Sequence, residues 1–188
     1  MSTVETLPRR ELTAGAKPMA IVPTTMEDAY RLAKAVCAAN MAPKGMETPE
    51  KVLVAILHGL EIGLTPMSAL QRIAVINGRP TIWGDAAIAL VRGSGLCDYI
   101  HESISGEGDK MTALCQAKRK GEQAEITGRF SVEDAKKAGL WGKPGPWQQF
   151  PKRMLQMRAR AFSLRDGFAD VLGGMYLKEE MEDVPDVK

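Results

Sequence analysis

The sequence predicts an α+β fold with a helical N-terminal region. Segments with helical periodicity come first, β-rich runs separated by glycine turns follow, and a second helical stretch closes the chain. Strands that are grouped between helices, rather than alternating with them, favour an α+β protein over an alternating α/β one. The 188 residues, of which 45% are hydrophobic and 26% charged, are sufficient for one buried core.

Three helices are predicted before the first strand. Each begins at a residue that suits the start of a helix, either a threonine that caps the first amides or a proline in the first turn. The predicted helices cover 26–40 after Thr25, 49–62 after Thr48, and 67–71 after Pro66. Residues 1–23 hold three prolines and little periodicity, and are predicted to form a flexible arm.

The middle of the chain carries strand and turn signals. Asn77-Gly78 separates two β-rich runs and is the strongest hairpin signal in the sequence. A helix from Asp85 to about Arg92 is predicted next. Glycine turns then separate three predicted strands, at 97–104, 111–119 and 123–130.

The last third begins with a short helix, for which Ser131 and Asp134 resemble a capping box. A Gly/Pro/Trp loop then leads into a basic helix. The acidic tail 179–188 follows, and its carboxylates are predicted to be solvated. The predicted organisation is therefore the N-terminal arm, one core over 24–178 and the acidic tail.

Composition and motifs argue against several classes of protein. No apolar run approaches the length of about 20 residues that spans a bilayer, and the N-terminus lacks a signal-peptide core. A soluble, cytoplasmic protein without membrane contact is expected. Three separated cysteines predict reduced thiols rather than disulfides or a zinc site. No P-loop motif supports an ATPase, and His58 and His101 lack ligand-spaced partners.

The most informative segment is QQFPKRMLQMRARAFSLR, residues 148–165. It holds five basic residues and no acidic one, although the net charge of the whole chain is only +2. Such a local concentration of positive charge is typical of a surface that binds a polyanion. The five residues are Lys152, Arg153, Arg158, Arg160 and Arg165.

A helical wheel divides these residues between two faces. Arg158 and Arg165, two turns apart, fall on a narrow strip between two apolar stripes. Lys152, Arg153 and Arg160 fall on a more open face.

A recessed arginine needs an anion beside it, because an unpaired buried charge is costly. One interpretation is a pair of phosphate clamps on the floor of a groove. The other is a buried salt bridge to carboxylates elsewhere, such as Glu61 or Asp85. The open face is either solvated or adds phosphate contacts of its own.

The same segment carries a family resemblance. The run GPWQQFPKRMLQMRARAF, followed by Arg165, closely resembles the signature of the RecT family of phage single-strand annealing recombinases and of its relative, the Red beta protein. Upstream, GLEIGLTPMSALQRIAVINGRPTIWGDAAIALV is similar to the family's turn, hairpin and helix, and LRDGFADVLGGMY is similar to the end of its core. The resemblance covers about residues 49–180.

The resemblance implies a Rad52-like core, in which a small antiparallel sheet with a hairpin packs on a long central helix. It implies a protein without a catalytic site that anneals single-stranded DNA independently of ATP, in a ring or helical filament of many subunits. Positions that match Lys152, Arg158 and Arg165 are basic in Red beta and bind DNA. The expected DNA contacts are Lys152, Arg153, Arg158, Arg160 and Arg165 on the helix, with Arg72 and Arg79 beside the hairpin turn.

Annealing favours contacts to phosphate over contacts to bases, because the base edges must stay available for pairing. Aromatic residues make up only 5% of the chain, and Trp83, Trp141 and Trp147 are expected to pack in the core or in loops. Arg72 and Arg79 either close over the strand or remain solvated at the hairpin tip.

The partners that the resemblance implies are single-stranded DNA, the annealed duplex and further copies of the chain, in the cytoplasm of a bacterial or phage-infected cell. No cofactor is predicted, and a dependence of annealing on Mg²⁺ is left open. Longer members of the family contact a 5′-to-3′ exonuclease and the host single-strand-binding protein through an extra domain. In this sequence only the acidic tail stands at that place, so these two partners are left open. Two alternative functions remain: a metal-dependent nuclease whose carboxylates converge only in three dimensions, and a passive single-strand-binding protein.

Overall fold

The computed structural model describes residues 20–184, and in them the chain is α+β, as predicted. The helices are α1 (Met26–Ala38), α2 (Pro49–Glu61), α3 (Pro66–Arg72), α4 (Gly84–Gly93), α5 (Val132–Lys137), α6 (Pro146–Gln149), α7 (Pro151–Phe168) and α8 (Lys178–Met181). The strands are β1 (Ile73–Ile76), β2 (Arg79–Ile82), β3 (Cys97–Ser105), β4 (Thr112–Arg119) and β5 (Glu125–Ser131). The predicted arm lies outside the described residues except for 20–23, which form neither helix nor strand. The predicted division of the chain into arm, core and acidic tail stays a prediction.

Helices α1 to α3 form a layer with its own buried cluster. Both threonine caps are confirmed, since the hydroxyl of Thr25 accepts from the amide of Asp28 and that of Thr48 from the amide of Lys51. The cluster consists of Ala33, Val36, Met46, Val52, Ala55, Ile56, Leu64, Ala69, Leu70 and Ile73. Because the last of these is the first residue of β1, the layer fixes the base of the hairpin.

The predicted hairpin is confirmed, with Asn77 and Gly78 between β1 and β2. Their φ angles are 51° and 73°, the left-handed conformation that a tight type I′ turn requires at both central residues. The two strands form a sheet of their own, separate from the three-stranded sheet. The hairpin therefore stands apart from the main sheet and packs near α3 and α8.

The main sheet has the antiparallel order β3-β4-β5, and α7 packs across β4 and β5. Along β4 the residues that face the helix are small and buried: Ala113, Cys115 and Ala117. The approach is closest at Gly128 on β5, where a Cβ atom would lie 2.0 Å from the carbonyl oxygen of Ala159. At this point the backbone of α7 lies directly against the backbone of β5.

The capping box at the start of α5 is also confirmed. The hydroxyl of Ser131 accepts from the amide of Asp134, and the Asp134 carboxylate accepts from the hydroxyl and the amide of Ser131. These hydrogen bonds hold the pKa of Asp134 below its ordinary value.

Helix lengths and hydropathy bear on membrane insertion. Between residues 20 and 184, no single helix is long and apolar enough to cross a membrane. Helices α2 and α3 together reach that length and composition, but they are bent by 104° at the break between them.

Candidate nucleic-acid interface

The basic side chains of α7 lie in three environments: a buried salt-bridge network, an exposed edge, and a recess that residues 176–184 cover. Arg160 forms the centre of the buried network and is only 3% exposed. Its Nε and Nη2 atoms donate to the two carboxylate oxygens of Glu102 at 2.8 and 2.7 Å. Its Nη1 donates to Asp85 at 2.8 Å. All three guanidinium nitrogens therefore have carboxylate partners.

The prediction that Arg160 lies on an open face is wrong. The wheel places it opposite the recessed strip, but that side of α7 is covered by β3 and by the start of α4, which bring Glu102 and Asp85 against it. The hydrogen bond from Arg160 is the main cause that holds the pKa of Asp85 below its ordinary value. Burial acts in the opposite direction, and Arg153 adds to the lowering.

Lys152 and Arg153 form the exposed edge, as predicted for the open face. Arg153 donates to Asp85 and to Gln156. Lys152 makes no salt bridge with the residues between 20 and 184. Its ammonium group is therefore accessible to an anion from solution.

Arg158 and Arg165 lie in the recess, and their side chains are 13% and 32% exposed. Each is paired with a carboxylate from the end of the chain. Arg158 Nη2 donates to Asp183 at 2.8 Å, and Arg165 Nη1 donates to both oxygens of Glu180 at 2.9 and 3.1 Å. The salt-bridge interpretation was right about the kind of contact in this structure but wrong about the partners. The expectation of a solvated acidic tail is wrong for both carboxylates, which are 6% and 7% exposed.

Asp183 collects three donors at the end of the recess. Besides Arg158, it accepts from the indole Nε1 of Trp147 at 2.9 Å and from the ammonium group of Lys143 at 3.2 Å. Trp147 is buried, as predicted, and its ring packs beside Phe130. One donor is left over, because the buried Nε of Arg158 has no acceptor among residues 20–184.

Residues 176–184, here called the C-terminal strap, run between the hairpin and α7. At one end the amide of Ile82 in β2 donates to the carbonyl of Tyr176 at 2.9 Å. At the other end the side-chain amide of Asn77, in the hairpin turn, donates to the carbonyl of Val184 at 3.2 Å. The Tyr176 ring also stacks on the Arg165 guanidinium at 3.9 Å. The strap therefore fills the space between the hairpin and the recess of α7.

Glu179 anchors the middle of the strap to the start of α4. Its carboxylate accepts from the amide of Gly84 at 3.1 and 3.3 Å. Burial raises the pKa of this carboxyl above its ordinary value, against the lowering effect of the backbone hydrogen bonds.

The two arginines beside the hairpin are placed differently. Arg72 ends α3 and is half-buried, whereas Arg79 begins β2 and is exposed. Neither makes a salt bridge to another described residue. Arg79 lines a cavity of about 340 Å³ together with Tyr176 and Met181. It therefore lies next to the strap.

A larger cavity, of about 770 Å³, is lined by Trp83, Lys178 and the strand β1. Trp83 is 40% exposed, which is more than predicted, and the Lys178 ammonium lies 3.9 Å from the centre of its ring. Within residues 20–184, no group of three or more histidine, cysteine, aspartate or glutamate side chains is placed to hold a metal ion.

Sequence reasoning missed the carboxylates of the strap. Glu180 lies on the short helix α8, and Asp183 follows just after its end. Because the two residues are three positions apart, both side chains face α7. The signal in the sequence is the acidic composition of this segment, whose charge complements that of the recessed arginines. Acidic composition alone predicts solvated carboxylates equally well.

A known protein family matches the part of the chain that contains α7. The model of the RecT family matches residues 85–188, which span α4, the three-stranded sheet, α7 and the strap. No curated protein matches the chain. The match covers more than half of the sequence and includes the signature residues from Trp147 to Arg165, so the chain belongs to the RecT family.

Proposed function

We propose that this protein binds single-stranded DNA through phosphates along α7 and anneals complementary strands without ATP, as a ring or helical filament of many copies. Proteins of the RecT family act in phage single-strand annealing recombination. The strand path, the independence of ATP and the assembly are the parts that we add. The proposal also includes a Rad52-like core with α7 as its long central helix.

The observation that carries the proposal is that Arg158 and Arg165 each bind an oxyanion in the recess of α7. A phosphodiester oxygen carries the same charge as a carboxylate oxygen and accepts from the same guanidinium donors. Seven residues separate the two arginines, which corresponds to about 10 Å along the helix. They are therefore suited to two different phosphates of one strand.

Exposed positive charge continues from the recess in two directions. Lys152 and Arg153 extend it towards the N-terminal end of α7, and Arg79 extends it across to the hairpin. Arg72, at the base of the hairpin, is a further contact in the proposal. Arg160 is not included, because its nitrogens are already bonded to Glu102 and Asp85.

Contacts to phosphate suit a protein that must accept any sequence, since they fix the position of a strand and leave the base edges available for pairing. Stacking on aromatic rings would hold the bases instead. Among the three tryptophans only Trp83 is exposed. In the cell, a 5′-to-3′ exonuclease would supply the single strands and the host single-strand-binding protein would coat them before annealing.

The first test mixes two complementary labelled oligonucleotides with the protein, with and without Mg²⁺ and in the absence of ATP. We expect duplex to form faster than in protein-free controls and both strands to stay intact. Shortened strands would contradict the proposal and favour a metal-dependent nuclease. Protected strands that pair no faster than the controls would favour a passive single-strand-binding protein.

Substitution of the recessed arginines tests the strand path. We expect Arg158→Ala and Arg165→Ala each to weaken binding of a single-stranded oligonucleotide by roughly 10- to 100-fold, because each removes a charge-assisted contact of about 1.5–3 kcal/mol. The salt dependence of binding should also fall, by about 0.7 in the slope for each phosphate that the variant no longer binds. Fluorescence anisotropy over a range of salt concentrations measures both quantities.

Lys118→Ala is the matched control, because Lys118 lies on β4 and faces away from α7, so the same charge is removed from the opposite face of the sheet. It should leave the salt dependence almost unchanged. Thermal melts must show that all three variants are folded. Folded recess variants that bind like the wild-type protein would contradict the assignment of the groove.

A further inference from the structure

Three guanidinium–carboxylate contacts on α7 differ in quality. Arg160 uses two nitrogens, Nε and Nη2, to bind the two oxygens of Glu102, which is the fork geometry that gives strong pairs. Arg158 binds Asp183 through Nη2 alone, and Arg165 binds Glu180 through Nη1 alone. Each arginine in the recess therefore uses one nitrogen where Arg160 uses two, and we expect its ion pair to be weaker.

The leftover donor of Arg158 adds to this difference. Its Nε is buried and has no acceptor within residues 20–184, which is a costly arrangement for a polar group. A ligand with two oxygens able to reach both Nε and Nη2 would satisfy the guanidinium better than Asp183 does. The non-bridging oxygens of a phosphodiester meet that requirement.

We infer that the C-terminal strap is an autoinhibitory segment, in which Asp183 and Glu180 occupy the phosphate positions of Arg158 and Arg165 until single-stranded DNA displaces them. This inference rests on the proposed function of α7. Each exchange replaces one singly charged oxyanion with another, so the charge of the recess stays balanced while the ligand changes.

The strap has one fixed end and one end that can be released. Leu177 is fully buried in the main core and pairs with Ile82, so this part stays with the hairpin. Beyond it, the four-residue α8 and the residues that follow are held by the two arginine contacts, by Met181 and by the hydrogen bond from Asn77. The amide of Gly84 also binds Glu179, and Trp147 and Lys143 bind Asp183, so these contacts must break as well. Release from residue 178 onwards would open the space between the hairpin and α7.

The charge of the strap favours its departure once DNA is bound. Residues 178–184 carry four carboxylates and one lysine, a net charge of −3. A released strap is therefore repelled by a bound strand, which hinders its return. An arriving strand must compete with the strap, so the apparent affinity for DNA is lower than the intrinsic affinity of the recess.

Neutral substitutions in the strap test the inference. We expect Asp183→Asn and Glu180→Gln each to tighten binding of a single-stranded oligothymidylate by about 5- to 10-fold in fluorescence anisotropy. Glu182→Gln is the matched control, because Glu182 belongs to the same segment but pairs with Lys178 instead of an arginine. It removes the same charge and should change the affinity by less than about 2-fold. Equal tightening in all three variants, or none in folded Asp183→Asn and Glu180→Gln, would overturn the inference.

Hydrogen exchange of the unaltered protein gives a second readout that does not depend on how the variants fold. When the oligonucleotide binds, amides of residues 178–184 should exchange faster. Unchanged or slower exchange there would overturn the inference. Failure of the proposed function is distinct: Arg158→Ala and Arg165→Ala would then leave the affinity unchanged. If those two variants lose affinity while the strap variants gain none, only the autoinhibition is wrong.

Discussion

Arg160→Ala is expected to lower the free energy of unfolding by about 3–5 kcal/mol, the cost of breaking a buried ion pair by removing one partner. The substitution leaves Glu102, whose side chain is only 14% exposed, without its guanidinium partner. It also removes the ion pairs by which Arg160 joins α7 to β3 through Glu102 and to the start of α4 through Asp85. Urea denaturation followed by circular dichroism measures the change.

Arg153→Ala is the control for this prediction, because Arg153 binds the same Asp85 from an exposed position. Its loss should cost less than about 1 kcal/mol, as is usual for exposed salt bridges. A double replacement, Arg160→Met with Glu102→Leu, should recover part of the stability by removing both buried charges. A stable Arg160→Ala variant that binds single-stranded DNA poorly would instead support the direct DNA contact that the sequence suggests.

Gly128→Ala is expected to destabilise the protein by about 3 kcal/mol, the upper end of the usual cost of overpacking. The added methyl group would lie 2.0 Å from the carbonyl oxygen of Ala159 and 2.6 Å from the amide nitrogen of Ser163. Both are backbone atoms, so no side-chain rotation relieves the clash and α7 must move away from β5. Such a movement would also shift the recessed arginines relative to the strap.

The control is Gly93→Ala, at the end of α4, where an added Cβ atom meets nothing within 4 Å. This change should be neutral or stabilising by up to about 1 kcal/mol, because alanine favours a helix over glycine. Thermal unfolding of both variants provides the measurement. A Gly128→Ala protein as stable as Gly93→Ala would mean that the helix and the sheet are not in backbone contact at this position.

Local features of the fold were predictable from the sequence because their causes are local. The caps at Thr25 and Thr48 and the turn at Asn77-Gly78 each depend on residues within three positions in the chain. The signature around α7 likewise lies in one continuous segment, and the family match confirms it.

The environment of each arginine was less predictable, because it depends on distant parts of the chain. Glu102 and Asp85 lie 58 and 75 residues from Arg160, and no periodicity within α7 indicates that they cover its outer face. The wheel separated the recessed pair correctly from Lys152 and Arg153, but it placed the buried Arg160 with these exposed residues. It could not show that Glu180 and Asp183 fold back onto that pair, since the same carboxylates would be equally compatible with solvent.

The separate buried cluster of the N-terminal helices has a consequence for cooperativity. Ile62 and Leu90 are half-buried side chains that pack against both this cluster and the core beneath α4. Coupling through such partly buried contacts is weaker than coupling within either cluster, so α1 and α2 form a unit that can open below the energy of global unfolding. Heat or denaturant can therefore loosen the helical layer while the sheet and α7 stay intact, and stability measured by a probe in one unit need not describe the other.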